Sequence, residues 1–249
     1  MNNFNKYALT LCITSAFMLG AGCSKQNDNN NANTADSNKV APNLADAMSA
    51  KGQAQAAVAA MPHGDANTPL SAYKEISSDN DIMFAYYALS SIPIDYDKVL
   101  TSYSKDYRYA ADAFKKQDIL NALKPKVDEQ IAAAKTARYL KMTWNGFNLG
   151  KYDFQNKGFP QNDLSSRSNL GWDGYGYRLT FTNGDDFKLL KVVDEAKARL
   201  IEEKRSKYER FDLVVYVYAQ DADLNEKYVK TQVMHISMLD KDGNEIFAQ

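Results

Sequence analysis

Phe211-Asp212-Leu213-Val214-Val215-Tyr216-Val217-Tyr218-Ala219 is the stretch that decides the fold. From Leu213 to Tyr218 the residues are apolar or aromatic on both sides of the alternation that a strand imposes. A run of that kind marks a central strand. Its neighbours carry the reading outward. Upstream, Asp194 and Glu195 open a helix that Lys204, Arg205 and Lys207 close, a charge order that complements the helix dipole. Ala196, Leu200 and Lys204 mark one face of it, and Glu195–Arg199 and Glu203–Lys207 stand four apart in the favourable orientation. Downstream, Tyr228 to Leu239 reads as a long strand, and Asp242-Gly243 turns it into Glu245-Ile246-Phe247.

Further upstream, Leu140, Met142 and Trp144 alternate with Lys141 and Thr143. Tyr152 and Phe154 alternate before a break at Gly158 and Pro160, and residues 161–174 form a polar loop with Trp172 near its end. Tyr175, Tyr177, Leu179 and Phe181 predict a strand, and Asn183-Gly184 predicts a hairpin into residues 187–193. Residues 70–138 are helical in pattern. Asp79 opens a segment with Ile82, Met83, Phe84, Tyr86, Tyr87 and Leu89 on a broad apolar face, and Pro93 ends it. Asp95 or Asp97 starts the next turns, Asp118 precedes Ile119 and Leu120, and Pro125 opens a further helix at its first position. The expectation is a single α+β domain over residues 68–249, helical in 70–138 and mainly strands in 139–249. Six or seven mostly antiparallel strands with one interrupting helix fit either a sandwich or a helix-backed sheet.

Residues 1–22 have the parts of a signal peptide: Lys6, a short apolar stretch over 7–19, then small residues. That stretch is well short of the ~20 residues a membrane-spanning helix needs. Gly20-Ala21-Gly22-Cys23 resembles the lipobox of bacterial lipoproteins, with Gly20 where that pattern prefers Leu. The resemblance implies acylation of Cys23 and anchoring in a lipid bilayer, since two or more acyl chains give stable attachment. Ser24 in place of Asp resembles the default signal for the outer membrane, so the expected location is the cell envelope, on the outer membrane facing the periplasm. Residues 23–67 are expected to be a disordered tether. Asn-rich 27–33 cannot bury a face, and Ala-rich 44–61 holds at most a transient helix. A tether of about 40 residues reaches roughly 35 Å.

The chain of 249 residues has a formal net charge of -1, which argues against a nucleic-acid partner. Its two cysteines, Cys12 and Cys23, both precede the domain, so thiol nucleophiles, disulfides and thiolate metal sites are absent from it. No phosphate loop, dinucleotide fingerprint, nucleophile elbow or His-Glu-x-x-His occurs, and no catalytic residue is assigned. His63 lies in the tether, and His235 sits within a predicted strand with no visible partner set. Asp221-Ala222-Asp223-Leu224-Asn225-Glu226 starts like a calcium loop. It lacks the turn glycine at Glu226 and the closing carboxylate at Gln232, so neither metal nor cofactor is expected. Trp144, Phe147, Tyr152 and Trp172 are the candidate ligand-binding residues, provided their rings stand side by side on one open face.

Tyr86-Tyr87-Ala88-Leu89-Ser90, Asp118-Ile119-Leu120-Asn121-Ala122-Leu123-Lys124-Pro125, Tyr152-Asp153-Phe154 with Gly158-Phe159-Pro160, and Asp194-Glu195-Ala196-Lys197-Ala198-Arg199 together prompt a further resemblance. From about Ala72 to Asn244 the chain resembles an uncharacterised family of bacterial envelope lipoproteins carrying a domain of unknown function. The resemblance implies no activity; it favours a structural or interaction role. The expected function is therefore a non-enzymatic binding or assembly factor with an envelope protein or glycan partner. A small envelope hydrolase using a carboxylate site and a glycan- or peptidoglycan-binding module are the alternatives.

Overall fold

A computed structural model of the chain describes residues 49–172 and 176–249. The expected signal peptide, Cys23, the tether up to residue 48, residues 173 and 174 of the polar loop, and Tyr175 of the expected strand after it lie outside them. The described residues form an α+β domain. Its strands are β1 (Lys74–Glu75), β2 (Tyr139–Phe147), β3 (Gly158–Pro160), β4 (Asn169–Leu170), β5 (Arg178–Phe181), β6 (Leu189–Lys191), β7 (Phe211–Asp223), β8 (Tyr228–Leu239) and β9 (Glu245–Ala248). Seven of them form one sheet in the order β1-β2-β7-β8-β5-β4, with β9 paired to the last residues of β8. The other two, β3 and β6, form a small antiparallel sheet.

The twofold apolar run over 211–219 is an interior strand, flanked by β2 and β8. One face is sealed: Leu213, Val215 and Val217 are buried with Leu140, Met142 and Ile236 of the neighbouring strands. The other face, with Val214, Tyr216 and Tyr218, is half-buried. The sheet is mixed, which corrects the expectation of a mostly antiparallel one: β1 runs parallel to β2, and β5 parallel to β8. Both parallel pairs follow from long crossovers, which strands running the same way require. Helices separate β1 from β2, and β6, a helix and β7 separate β5 from β8.

The predicted hairpin at Asn183-Gly184 does not form. Residues Gly184–Phe187 make a 3-10 turn that sends β6 to the small sheet. The Asn183 side chain explains the divergence. Its amide donates to the Val233 carbonyl at 2.9 Å, and its oxygen accepts from the Val233 amide at 2.7 Å. The side chain thus completes β8 where β5 stops, and no second strand is needed there.

Helices α1 (Ala50–Ala59), α2 (Asp79–Leu89), α3 (Tyr96–Tyr103), α4 (Lys105–Arg108), α5 (Ala113–Thr136) and α6 (Glu195–Ser206) complete the described elements. Helix α2 buries Ile82, Met83, Tyr86 and Tyr87 and packs on β5, β7 and β8, so the architecture is a helix-backed sheet and not a sandwich. Helix α5 packs on α2 through Val127 and Ile131. It is one helix of 24 residues, which corrects the expected starts near Asp118 and at Pro125. Pro125 is tolerated within it because Pro125 and Asn121 are both on the exposed face, where the Asn121 carbonyl that has lost its donor is open to solvent. Asp95 caps α3, its carboxylate accepting from the Lys98 amide at 3.2 Å. Helix α6 is capped by Asp194 but packs through Ala198 and Ile201, whereas the expected Ala196–Leu200 face is exposed.

The expectation of a disordered tether through residue 67 is corrected at its end, over residues 62–67. Helix α1, capped by Ser49, buries no residue, in keeping with its alanine-rich sequence. Beyond it the chain is fastened across the half-buried sheet face. Gln220 Nε2 donates to the Pro62 carbonyl at 2.9 Å, the Gly64 amide to Gln232 Oε1 at 3.1 Å, and the Asp65 amide to the Tyr139 hydroxyl at 2.8 Å. The ordered domain therefore begins by Pro62.

Candidate functional site

Between β2 and β3 the chain makes a tight turn at Asp153–Gly158, closed by a backbone bridge between those two residues. Asp153 organises it. Its carboxylate accepts from the Gln155 and Asn156 amides at 2.9 Å each and from Asn156 Nδ2 at 2.7 Å. These hydrogen bonds, that from the Asn156 side chain foremost, hold the Asp153 carboxyl below the usual carboxylate range. Lys157 closes the turn at φ 50°, a left-handed conformation that costs a non-glycine residue ~1 kcal/mol. The result is a stiff turn whose second residue is an aromatic. Phe154 is 85% exposed.

Phe154 stands beside Tyr152, with ring centroids 5.2 Å apart and planes at 90°. Tyr152 in turn leans on buried Phe159 at 5.1 Å. It is pinned at both ends: its hydroxyl donates to the Val192 carbonyl at 2.9 Å and its amide to Glu202 Oε2 at 3.2 Å. The two rings form one side of a trough of about 340 Å³, and Glu195, Ala198, Arg199, Glu202, Glu203 and Ser206 of α6 form the other. That volume is at the small end of the range for small-molecule sites.

The charges in the trough are closed on themselves. Arg199 pairs with Glu195 at 2.5 Å, Lys207 with Glu203 at 2.6 Å, and Arg205 grips Glu202 through Nε at 2.8 Å and Nη2 at 2.5 Å. Arg205 holds the Glu202 carboxyl below its ordinary range, and Lys207 does the same to Glu203. A general acid needs the opposite shift. All three carboxylates also project from one helix, so the lining supplies no facing pair for glycoside hydrolysis. The carboxyl that burial pushes upward is Asp163, in the loop after β3 and not among the trough residues.

Trp144, Phe147, Tyr152 and Trp172 are not brought onto one open face. Phe147 is a core residue, 3% exposed, with Trp144 packed on it at a centroid distance of 6.2 Å. Trp172 is half-buried against the core, and its amide donates to Asp79 at 2.8 Å. Tyr152 is the member of the set that lines the trough. Its companion Phe154, which alternation with Tyr152 places in a strand, stands in a turn. The signal that distinguishes it is its setting: an aromatic inside Asp153-x-Gln155-Asn156-Lys157-Gly158, a run of turn formers in which a polar residue is the ordinary choice.

The other flagged residues have structural settings. His235 Nε2 lies 3.3 Å from Ser237 Oγ, but Ser237 is buried and offers no hydroxyl to a substrate. Burial lowers the His235 pKa, with nearby Glu245 opposing. Tyr216 packs on its ring at 5.4 Å, in a band with Tyr73, Tyr139 and Tyr218 on the half-buried sheet face. Asp221 and Asp223 belong to β7, and Lys230 pairs with Asp223 at 3.4 Å. Asp240 accepts from the Asp242 and Asn244 amides at 3.0 Å each, as a hairpin turn residue does. His63 sits at the end of α1, 3.3 Å from the Ala59 carbonyl. Among the described residues no group of three or more His, Cys, Asp or Glu is placed to hold a metal ion. No described helix is long and apolar enough to cross a membrane. Comparison of the chain with protein-family models, curated proteins and solved structures gives no match.

Proposed function

We propose that the chain is an envelope lipoprotein, anchored in a lipid bilayer through acylated Cys23, that acts as a non-enzymatic binding or assembly factor. Its ligand is taken in the trough of Tyr152, Phe154 and α6. The observation that carries this reading is Phe154. An aromatic side chain that is 85% exposed contributes little to folding, yet it is held by a stiff turn beside a pinned tyrosine. Such pre-organisation lowers the entropic cost of binding. The self-paired carboxylates of α6 favour binding over hydrolysis. The lipid anchor rests on Gly20-Ala21-Gly22-Cys23, and the outer-membrane location on Ser24.

Two measurements test the reading. Cys23→Ala is expected to move the chain from the membrane fraction to the soluble fraction; retention in the membrane defeats the anchor. A photoreactive residue replacing Phe154 is expected to form a discrete adduct in intact envelopes. The same residue replacing Leu224, exposed in the β7–β8 turn, is the control. An equal yield at both positions, or none at 154, defeats the binding site.

A further inference from the structure

We infer that the Tyr152–Phe154 trough is a carbohydrate site that takes a neutral pyranose chain. The inference rests on the binding reading and goes on to name the ligand. Each carboxylate in the lining is neutralised by a cation on its own helix or at its C-cap: Glu195 by Arg199, Glu202 by Arg205 and Glu203 by Lys207. A trough built this way has no net field with which to draw in an ion. It does keep hydrogen-bonding atoms along its edge, because a carboxylate accepts on two oxygens and a guanidinium carries five donors.

The two rings meet at 90°, giving an apolar corner with one wall pinned and the other exposed. A pyranose presents an apolar C–H face and an equatorial rim of hydroxyls. The face packs on an aromatic ring while the rim reaches the Glu195, Arg199, Glu203 and Ser206 edge. None of the lining residues lies in a strand, so the trough offers no unpaired edge for strand addition.

The test is calorimetric titration of the full-length chain with two tetrasaccharides, the β-1,4-linked N-acetylglucosamine tetramer and the β-1,4-linked glucose tetramer. At least one is expected to bind, with an affinity that raised ionic strength leaves unchanged. Phe154→Ala is expected to weaken it about tenfold, the loss of one aromatic contact. Phe154→Trp retains it, and Phe114→Ala, an exposed aromatic on α5, has no effect. Absence of binding by both sugars, or equal affinity in Phe154→Ala, overturns the carbohydrate assignment. If both sugars fail while the photoreactive residue at 154 still forms its adduct with a protein, the trough is a protein-binding site. The binding reading then stands and this inference falls. If adduct and sugar binding are both absent, the two fall together.

Discussion

Gly64 and Tyr218 are in such close contact that a β-carbon on Gly64 would lie 2.9 Å from the Tyr218 β-carbon. A second obstacle, Met234 Sδ, would lie at the same 2.9 Å. The chain before β1 is thus pressed onto the sheet at a position that only a glycine fits. That contact, with the three hydrogen bonds around it, sets the domain boundary.

Gly64→Val is therefore expected to free the segment from Pro62 to Thr68, with an overpacking cost of about 1–3 kcal/mol. Limited proteolysis read by mass spectrometry checks this. The native chain should resist cleavage within 62–68 while being cut N-terminal to it, and the variant should be cut in both. Equal cleavage of 62–68 in the two proteins contradicts the docking.

Gly184→Ala is expected to cost about 3 kcal/mol or more. The added β-carbon would stand 1.8 Å from the Leu164 carbonyl oxygen, and a backbone atom cannot swing aside. Gly146→Ala is the contrast. It meets nothing within 4 Å but must hold φ 76°, at a cost of about 1–2 kcal/mol. Urea unfolding midpoints rank the two, and a smaller loss at 184 than at 146 refutes the argument.

Asp79 is buried at the first residue of α2 and accepts the Trp172 amide at 2.8 Å, joining helix and loop across 93 residues of chain. Asp79→Ala leaves the half-buried Trp172 amide without this charged acceptor and is expected to lose about 1.5–3 kcal/mol, whereas Asp79→Asn, which keeps an oxygen, loses less. Thermal unfolding of the pair distinguishes them; indifference to either substitution means the bond is dispensable.

His235 sets an acid dependence of stability. Its pKa is lowered in the fold by burial, so between its ordinary value of about 6.5 and the lower folded value the unfolded chain holds more protons. Stability is then lost as pH falls through that window and is unaffected by His235 above it. Asp185, brought down to about 2 by the Ser166 amide and Lys188, acts in a separate window: its stabilisation is lost only as pH falls below the ordinary carboxylate range. Unfolding midpoints measured from about pH 7 to pH 5 should decline in the native chain and stay level in His235→Gln. A parallel decline in both excludes His235 as the cause.

The elements legible in the sequence were those whose residues act locally. The twofold apolar run at 211–219, the Asp95 and Asp194 caps, the Glu195–Arg199 and Glu203–Lys207 pairs and the Asp242-Gly243 turn are all where their local chemistry puts them. Local signals failed where a distant partner outbid them. Asn183-Gly184 is good hairpin chemistry, but Asn183 finds its partner in Val233, 50 residues on. Pro125 is a helix-start signal, but continuity through it is cheap on an exposed face. Residues 62–67 have no apolar period, but the sheet supplies Gln220, Gln232 and Tyr139 to bind their backbone.

The sequence by itself determined the class of fold, the alternation of strand and helix after residue 139, and the residues with an aromatic or charged group to offer. Tertiary structure alone decided that Phe147 is core, that pinned Tyr152 and exposed Phe154 form a right-angled pair, and that α6 faces them with its charges already paired. The physical reason is that burial and facing are relations between segments. A phenylalanine has the same propensities at 147 and at 154. It becomes core in one place because the fold closes over it, and an exposed ring in the other because the Asp153 turn holds it away from any cover.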